Sequence, residues 1–410
     1  MTLLGEVALV IDCEHKTAPR SESETFGYSI GTGAVRDGRI LLEKAKPVNR
    51  STYGQWTRRA IPALGDLIFS REAPMGEVGA VPADAAVCLG QRTVLLRPAA
   101  DRVTVKFLKY ALQAPDSQQW IQRNSAGSTV KHLNVGDVRK LPLPYLPSLV
   151  EQHRIVEVLE DHLSRLDAAQ SYIDISDRRS NILEQAVLAN CREGEIYPLG
   201  EISEIQGGIQ KQPKRAPQVN HYPFLRVANV GSGTLDLADI HRVELFGNEL
   251  EKLSLRQGDL LVVEGNGSPS QIGRAAIWDE SIENAVHQNH LIRVRPGPSL
   301  LPEYLEAVWN SPQNRRILTD VSSSSSGLHT LSVAKLKKIS IPVPSLERQA
   351  GLVVQVARSR EVIDRIRLAT GHARTRTTTL RRALLASAFS GRLIGDNHSV
   401  GVLANELVPA

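Results

Sequence analysis

The sequence predicts a mixed α/β fold in which two similar globular domains are separated by two long helices that pair as an antiparallel coiled coil. Three observations lead to this prediction. The chain of 410 residues repeats itself at an offset of about 197 residues. Each repeat begins with short apolar stretches and Gly-rich turns and ends with about 45 residues that contain no proline. The two proline-free stretches carry opposite net charges.

The repeat covers essentially the whole chain. Residues 147–194 align with residues 344–391 without a gap, and the tripeptide GDL recurs at 65–67 and 258–260. A period of this length is far too long for a solenoid, so it indicates a duplicated domain followed by a duplicated connector. We therefore predict two domains, two helical connectors and a tail, with the boundaries 1–148, 149–194, 195–345, 346–391 and 392–410.

Within each domain the pattern is that of short strands and helices. RVTVKFLKYAL at 102–112 and LLPEYLEAVWN at 300–310 have the spacing of helices. AVCLGQRTVLLRP at 86–98 and AVHQNHLIRVRP at 285–296 are apolar stretches that end in proline, as expected of strands. We therefore expect strands and helices in mixed order along the chain, with glycine-rich turns between the strands.

Each connector has apolar residues at helical steps of three, four and seven. They are Ile155, Leu159, Leu163, Leu166 and Ile173 in the first and Leu352, Val356, Ile363 and Ile366 in the second. The net charge is −4 for residues 149–194 and +6 for 346–391. We expect acids of the first helix (Glu157, Glu160, Asp161, Asp174) to face arginines of the second (Arg365, Arg367, Arg374, Arg376). Two solvated helices with an accidental charge difference are the alternative.

Composition narrows the class of protein. The net charge of +5 and the pI of about 9.1 allow a polyanionic partner but are weak evidence for one. The three cysteines form no CxxC pair, which argues against a disulfide framework and a cysteine zinc site. Neither a signal peptide nor an apolar run of membrane-spanning length is present, so we expect a cytoplasmic protein that does not contact the membrane.

Motifs of autonomous enzymes are missing from the sequence. There is no Gly-Lys dipeptide for a phosphate loop, no complete GxGxxG, no HExxH or GxSxG, and no NPP[YF] segment. His287 and His290 lie three apart, but on a strand these positions point to opposite faces. We therefore expect no catalytic residues, no metal site and no cofactor in this chain.

Polar loops in corresponding places of both repeats are the strongest sign of a ligand. SREAPMGEVG at 70–79 corresponds to EGNGSPSQIG at 264–273, and SAGSTVKHLNV at 125–135 to SSSSGLHTLSV at 323–333. A repeated framework with different loops suits two readers of two short DNA sequences, although polar loops are ordinary in soluble domains.

The candidate DNA contacts are basic, amide and hydroxyl side chains in these loops. For phosphates we predict Lys16, Arg58, Arg59, Lys131, Lys211, Lys214 and Arg215. For bases we predict Asn124, Ser128, Asn266, Ser268, Gln288 and Asn289. Further candidates are Arg20, Tyr53, Arg71, His287 and His329.

The chain resembles the specificity subunits of type I restriction-modification systems. The resemblance is carried by LPLPYLPSLVEQHRIV and ISIPVPSLERQAGLVV, by GDLIFSREAPMGEVGAV and GDLLVVEGNGSPSQIGRAAI, and by AVHQNHLIRVRP. It implies two target recognition domains that each read one half of a bipartite, asymmetric site in double-stranded DNA. It also implies that the paired helices hold these domains apart.

The resemblance further implies partners that carry the chemistry. Two modification subunits with S-adenosylmethionine would methylate adenine, and restriction subunits would use ATP and Mg²⁺ for cleavage. As docking residues on the helices we predict Gln152, Ile155, Leu159, Gln349, Leu352 and Val356. Arg348 and Gly351 depart from the usual helix opening, so docking there is expected to be weaker. The alternatives are a nuclease or methyltransferase with unrecognised motifs, and a helical scaffold without DNA sequence preference.

Overall fold

The computed structural model describes residues 2–127, 131–143, 145–265, 271–322 and 331–393. The chain divides into two units, the first formed by residues 1–173 with 372–410 and the second by residues 174–371. Each unit therefore contains the globular part of one repeat together with portions of both long helices. No described helix is long and apolar enough to cross a membrane.

The first unit contains short strands and helices in mixed order, as predicted. Its strands are β1 (Thr2–Leu3), β2 (Ala8–Asp12), β3 (Gly27–Ile30), β4 (Val35–Arg36), β5 (Arg39–Ile40), β6 (Lys46–Val48), β7 (Leu67–Ser70), β8 (Val78–Ala80), β9 (Val87–Leu89), β10 (Thr93–Pro98) and β11 (Pro142–Leu143). Its helices are α1 (Leu4–Val7), α2 (Arg50–Trp56), α3 (Val105–Gln113), α4 (Pro115–Arg123), α5 (Val135–Arg139) and the first part of α6 (Leu149–Leu188). Short 3₁₀ helices lie at Thr32–Ala34 and Leu42–Lys44.

The core of the first unit lies on both faces of an antiparallel sheet with the order β2-β10-β7-β8. Successive residues of β7 point to opposite faces, so Phe69 packs in the cluster that contains Phe107 of α3 and Leu159 of α6. Ile68 packs on the other face with Ile30 of β3. That face also carries the sheet β6-β3-β9, in which β3 and β9 are parallel. Small pairs β1-β11 and β4-β5 complete the unit.

The second unit repeats this plan. Its strands are β12 (Glu195–Pro198), β13 (Ser203–Gly207), β14 (His221–Leu225), β15 (His241–Glu244), β16 (Leu260–Val263), β17 (Ala275–Ile277), β18 (Val286–His287), β19 (Leu291–Pro296) and β20 (Ser340–Val343). Its helices are α7 (Leu199–Ile202), α8 (Glu249–Leu253), α9 (Pro302–Trp309), α10 (Pro312–Ser322), α11 (Val333–Lys337) and most of α12 (Leu346–Phe389), with 3₁₀ helices at Pro213–Arg215 and Val227–Asn229.

Three sheets of the first unit have a counterpart in the second, whereas the pair β4-β5 has none among the described residues. The order β13-β19-β16-β17 matches β2-β10-β7-β8, and β15-β14-β18 matches β6-β3-β9, again with one parallel pair. The prediction of a mixed α/β fold built from two similar domains and two long helices is therefore confirmed. The predicted helices near residues 105 and 302 are present as α3 and α9, and each predicted apolar stretch forms two short strands separated by a turn.

The two long helices contact each other within each unit through acids of α6 and arginines of α12. In the first unit Arg381 pairs with Asp167. In the second unit Arg367 lies 2.6 Å from Glu184 and 3.0 Å from the amide oxygen of Asn181. As the residue number on α6 rises, the residue number of its partner on α12 falls, as expected of antiparallel helices. The predicted charges, acidic on α6 and basic on α12, are found at both contacts.

Several predicted partners on the helices were wrong. Glu160 is bonded to Lys106 and Tyr110 of α3 at 2.8 and 3.1 Å. Asp161 pairs with Arg165 of its own helix, and Arg365 pairs with Glu361 of its own helix. The reason is that each helix turns part of its polar surface toward its domain or toward solvent.

A buried glutamine fastens the start of each long helix to its domain. Gln152 accepts a hydrogen bond from the Thr104 amide at 2.9 Å and donates to the carbonyls of Arg102 and Pro147, both at 2.9 Å. Gln349 repeats the arrangement with the amide of Leu301 and the carbonyls of Ser299 and Pro344, each at 2.8 Å. Both side chains are fully buried, so these bonds satisfy amide groups of the glutamines that have no access to water.

Glycine ends both connectors for a steric reason. Gly194 has φ of +111°, and a Cβ there would lie 2.4 Å from the nitrogen of Pro344. Gly391 has φ of +76° and follows α12, where the amide of Arg392 donates to the carbonyl of Ser387. The first helix ends at Leu188, before the predicted boundary, because the chain turns there and buries Cys191 in the core of the second unit.

Candidate nucleic-acid interface

Most of the predicted phosphate contacts of the first unit lie on its surface. Lys16, Arg20, Arg58, Arg59 and Lys131 are all exposed. Arg59 also donates to the carbonyl of Cys13 at 2.6 Å, which ties the segment after α2 to the end of β2. These exposed cations are placed where they can reach a polyanion, and their role in DNA binding stays a prediction.

An aromatic and basic group surrounds helix α2. Asn49 caps the helix by accepting a hydrogen bond from the amide of Thr52 at 2.9 Å. Tyr53 is half-buried, its ring centroid lies 5.2 Å from that of Phe26, and Arg50 lies over the Phe26 ring at 5.1 Å. Burial raises the pKa of Tyr53, so the phenol keeps its proton and can donate. Sequence reasoning missed Arg50, although it directly precedes a predicted polar loop.

Asn124 and Arg71 differ in accessibility. Asn124 is exposed at the end of α4, where its amide donates to the carbonyl of Trp120 at 2.8 Å. Arg71 is only 4% exposed. Its guanidinium donates to the carbonyl of Leu133 at 3.1 Å and lies 3.5 Å from a carboxylate oxygen of Asp12. The prediction of Arg71 as a DNA contact was therefore wrong, because this side chain joins segments inside the unit.

The basic loop of the second unit contains two exposed lysines and one arginine that is paired with a carboxylate. Lys211 and Lys214 are exposed. Arg215 makes two hydrogen bonds of 2.8 Å to the carboxylate of Glu249 and lies over the ring of Phe246 at 5.2 Å. The Arg215 guanidinium lowers the pKa of Glu249 to about 2. The role of Arg215 as a phosphate contact stays a prediction, although its guanidinium is already paired with this carboxylate.

A cavity of about 550 Å³ opens between this loop and the strands β14 and β15. Its lining includes Lys211, Arg215, Phe224, His241, Arg242 and Val243. Sequence reasoning missed His241 and Arg242, because a two-residue basic run in a short strand carries no signal of its own. We call this space the hairpin cavity.

The HQNH segment is less accessible than predicted. His287 is fully buried, so it cannot contact a base in this conformation and its prediction was wrong. Gln288 and Asn289 are half-buried. Their backbone N–H groups donate to the backbone carbonyls of Leu225 and Ile209, respectively, both at 2.9 Å. His290 is exposed, with its Nδ1 atom 3.1 Å from Glu264. The segment is held in place by backbone hydrogen bonds to two neighbouring segments.

Three of the predicted base contacts, Ser128, Asn266 and Ser268, lie outside the described residues, as does the further candidate His329.

The predicted docking residues on the helices belong to the interior of the chain. All six are at most 6% exposed: Gln152, Ile155, Leu159, Gln349, Leu352 and Val356. The four apolar residues pack in the cores of their own units, and the two glutamines bond to their own domains. Their assignment as docking contacts was therefore wrong. Arg348, which departs from the usual sequence of the helix opening, makes hydrogen bonds of 2.8 and 2.9 Å to the carboxylate of Glu193.

Among the described residues, Asp12, Cys13 and His15 form one group with potential metal-ligand atoms within 4.8 Å of one another. The ring of His15 already lies 2.7 Å from Asp12, and the guanidinium of Arg71 lies 3.5 Å from the same carboxylate. A cation would compete with two positive or proton-donating groups for this carboxylate, so the surroundings do not favour metal binding.

Comparison with known proteins identifies the duplicated unit. A family model described as the type I restriction modification DNA specificity domain matches residues 48–174 and again 192–353. The chain is 26% identical over 287 residues to the type I restriction enzyme EcoKI specificity subunit of Escherichia coli K12. It is 26% identical over 286 residues to the StySPI specificity subunit of Salmonella potsdam. Each alignment covers 66% of this chain but only 61% of the relative, which is less than two thirds of the relative's length.

Solved structures share the fold over nearly the full length. A chain solved in a study of complex assembly and conformational transition of the type I R-M system has a TM-score of 0.72 at 19% identity, covering 95% of this chain and 97% of that one. The HsdS subunit of Thermoanaerobacter tengcongensis has a TM-score of 0.51 at 20% identity, covering 95% and 96%. The family model matches well over half of the sequence, once in each repeat, and the chain therefore belongs to the type I restriction modification DNA specificity domain family.

Proposed function

We propose that this chain is the DNA-recognition subunit of a type I restriction-modification complex and performs no catalysis itself. The observation that carries the proposal is the duplication of one framework with different polar surfaces. Both units use the same order of strands. Yet the first presents the aromatic group around α2, and the second presents the hairpin cavity. Two readers that share a scaffold and differ at the surface suit a site made of two unlike halves.

In this proposal residues 1–148 contact one half-site and residues 195–345 the other. Exposed lysines and arginines neutralise phosphates and set the register, while amide and hydroxyl groups on the loops distinguish bases. The helices α6 and α12 fix the separation of the half-sites.

The chemistry is proposed to belong to partner subunits. Two modification subunits would bind S-adenosylmethionine and methylate adenine, and restriction subunits would use ATP and Mg²⁺. Since the six docking residues proposed from sequence are buried, docking is assigned instead to exposed apolar side chains of the helices. Such side chains are Val150 and Tyr172 on α6, and Val354, Val362 and Leu368 on α12.

The test is a replacement of residues 195–345 by the corresponding domain of a related subunit, followed by mapping of methylated adenines in the host genome. We expect one half of the methylated site to change and the other half to stay. A change in both halves, or in neither, would contradict the assignment of one half-site to each domain.

The isolated full chain provides the second arm of the test. If the proposal is correct, the isolated chain neither binds S-adenosylmethionine nor cleaves DNA when a divalent metal is added. Either activity would favour an enzyme with unrecognised motifs. Partner binding without any DNA sequence preference would favour a helical scaffold.

A further inference from the structure

A second cavity, of about 310 Å³, lies in the first unit where its domain meets both long helices. We call it the junction cavity. On the domain side its lining includes Arg39 of β5 and Lys109 of α3, and on the helix side it includes Leu163 of α6 and Arg382 of α12. Sites of small ligands usually have volumes of about 300–1,000 Å³, so this cavity suits a compact ligand.

The second unit fills the corresponding position with an ion pair of its own. The hydrogen bonds of the two buried glutamines relate the domain and the helix of each unit by one offset of 197 residues. At this offset Lys109 corresponds to Glu306, and Leu163 corresponds to Arg360. The buried carboxylate of Glu306 lies 2.9 Å from the guanidinium of Arg360. A Cβ on Gly233 would lie 3.7 and 3.8 Å from these two groups, so the pair occupies the space under that turn.

In the first unit the ammonium group of Lys109 has no such partner. It is half-buried and lies 4.4 Å from the centroid of the Tyr110 ring. Among the described residues no carboxylate lies within ion-pair distance of it, and the carboxylate of Glu160 is bonded to Lys106 and Tyr110 instead. Burial lowers the pKa of Lys109, although the charge of Glu160 opposes this effect. An anion in the cavity would supply the missing partner.

Two arginines bring further positive charge to the same cavity. Arg39 and Arg382 are exposed, and neither pairs with a carboxylate in the part of the chain that the structure describes. Arg39 follows a two-residue turn in which Asp37 and Gly38 have φ of 48° and 77°, as in a type I′ hairpin. A Cβ on Gly38 would lie 3.4 Å from the side chain of Lys109, so this turn lies directly against α3. The turn thereby holds Arg39 beside the lysine.

The carboxylates of the lining do not neutralise these three cations. Asp167 pairs with Arg381. Glu77 accepts a hydrogen bond of 3.0 Å from the amide of Asp37, and the side chain of Asp37 is exposed. When the pair of Asp167 and Arg381 is set aside, three cations and two carboxylates remain in the lining. The cavity therefore keeps a net positive charge, which attracts an anion.

We propose that the junction cavity binds a small ligand through a phosphate group, which Lys109, Arg39 and Arg382 hold together. Cations on three different elements suit a tetrahedral oxyanion better than a planar carboxylate, because its oxygens point in several directions. Guanidinium and ammonium groups are both usual partners of phosphate. Since the three cations belong to β5, α3 and α12, the bound phosphate joins the domain to a long helix. The inference does not depend on the proposed function, because it involves no contact with DNA.

The test measures the binding of inorganic phosphate to the full chain by isothermal titration calorimetry, without DNA and at constant ionic strength. Lys109→Met removes the ammonium group but keeps an apolar chain in its place. It is expected to weaken binding about tenfold or more, as for the loss of a hydrogen bond between charged groups. Lys44→Ala is the control, since Lys44 is exposed and lies outside the cavity lining. It is expected to bind phosphate as the wild type does.

A double variant uses the second unit as its template. Lys109→Glu with Leu163→Arg installs the counterparts Glu306 and Arg360 and closes the cavity with an internal ion pair. We expect it to lose phosphate binding altogether. Urea unfolding without phosphate verifies that each variant is folded. If the double variant does not fold, Arg382→Ala, at an exposed position, takes its place and is expected to weaken binding.

A titration with ADP separates two sources of the phosphate group. Tighter binding of ADP than of phosphate, weakened by Lys109→Met, assigns the group to a nucleotide. Binding of ADP that is no tighter assigns the site to free phosphate. The inference is overturned if the wild type binds neither ligand, or if the folded cavity variants bind as the wild type does. Equal weakening by Lys44→Ala would also contradict it, because the effect would then come from net charge and not from the cavity.

Discussion

His287 and Arg293 are buried polar residues where the first unit has leucines. An offset of 198 residues aligns them with Leu89 and Leu95, and the strand pairing agrees, because Leu225 pairs with His287 as Ile30 pairs with Leu89. Arg293 is 1% exposed and donates to the carbonyls of Lys252 and Ser254, both at 3.3 Å. The second unit therefore buries two polar side chains at positions where the first unit buries leucines.

The buried His287 makes the second unit sensitive to acid. Burial, together with the nearby charge of Arg293, lowers the pKa of His287 from 6.5 to about 3. Between these values the unfolded chain binds a proton that the folded chain does not, so the free energy of unfolding decreases as the pH falls below 6.5.

We predict that His287→Leu flattens the decrease in stability below neutral pH. The contribution removed at pH 5 is about 2 kcal/mol, because one pKa unit corresponds to about 1.4 kcal/mol. Urea unfolding at pH 7.5 and pH 5 measures it, with His290→Leu as the control because that side chain is exposed. Equal pH dependence in the His287 variant and the wild type would contradict the prediction.

Residue roles were the least predictable part of the chain. The recurrence of Gln152 as Gln349 is visible in the sequence, but recurrence alone does not tell a contact inside the domain from a contact with a partner. Arg71 and His287 lie in segments rich in polar residues, so both were expected at the surface. Their burial follows from tertiary contacts that lie far apart in sequence, such as the bond from Arg71 to Leu133.

Helix and domain are joined by ion pairs of opposite polarity in the two units. In the first, Lys106 of α3 lies 2.8 Å from Glu160 of α6. In the second, Glu306 of α9 lies 2.9 Å from Arg360 of α12. A domain that docked on the helix of the other repeat would bring like charges together. The reversal therefore favours the correct combination of domain and helix.

The opposite charges of the helices could be predicted, whereas the paired residues could not. Net charge is a sum over more than 40 residues and does not depend on register. A particular pair such as Arg367 with Glu184 depends on which residue faces which, and a shift of one or two positions changes it. Helix spacing restricts the faces but leaves this register open.

We predict that Arg367→Glu lowers the free energy of unfolding by about 1 kcal/mol, since it places two carboxylates together on a partly exposed surface. Adding Glu184→Arg restores most of the loss by reversing the pair. Urea unfolding of the two single variants and the double variant measures the coupling.

Arg365→Glu is the matched control, because Arg365 pairs with Glu361 of its own helix. We expect its effect to be smaller, about 0.3–0.5 kcal/mol, and insensitive to Glu184→Arg. Zero coupling between positions 367 and 184 would show that the ion pair does not help to join the helices.

The organisation of the whole chain was more predictable than its surface. The duplication and the long connectors follow from patterns that extend over some 200 residues, and such patterns survive local uncertainty. The outward face of each helix does not follow from them. Different stretches of one helix are covered by a domain and by the other helix, so apolar spacing alone cannot tell which residues remain exposed.

On α12, Val354, Val362 and Leu368 are 49%, 49% and 63% exposed. Large apolar side chains at intervals along a charged helix are expected where a partner protein packs. We predict that replacing all three with Glu greatly reduces the amount of modification subunit that co-purifies with the full chain. Folding should be preserved, because exposed positions tolerate substitution with changes of about 0.5 kcal/mol.

Ile61 and Leu64 provide the control, since they are 61% and 77% exposed but belong to the segment between α2 and β7, not to either long helix. Their replacement by Glu is expected to leave co-purification unchanged. Circular dichroism and urea unfolding verify that both variants are folded. If the α12 variant is folded and retains its full complement of modification subunit, this face of α12 is not the docking surface. The apolar side chains Val150 and Tyr172 on α6 would then be the next to test.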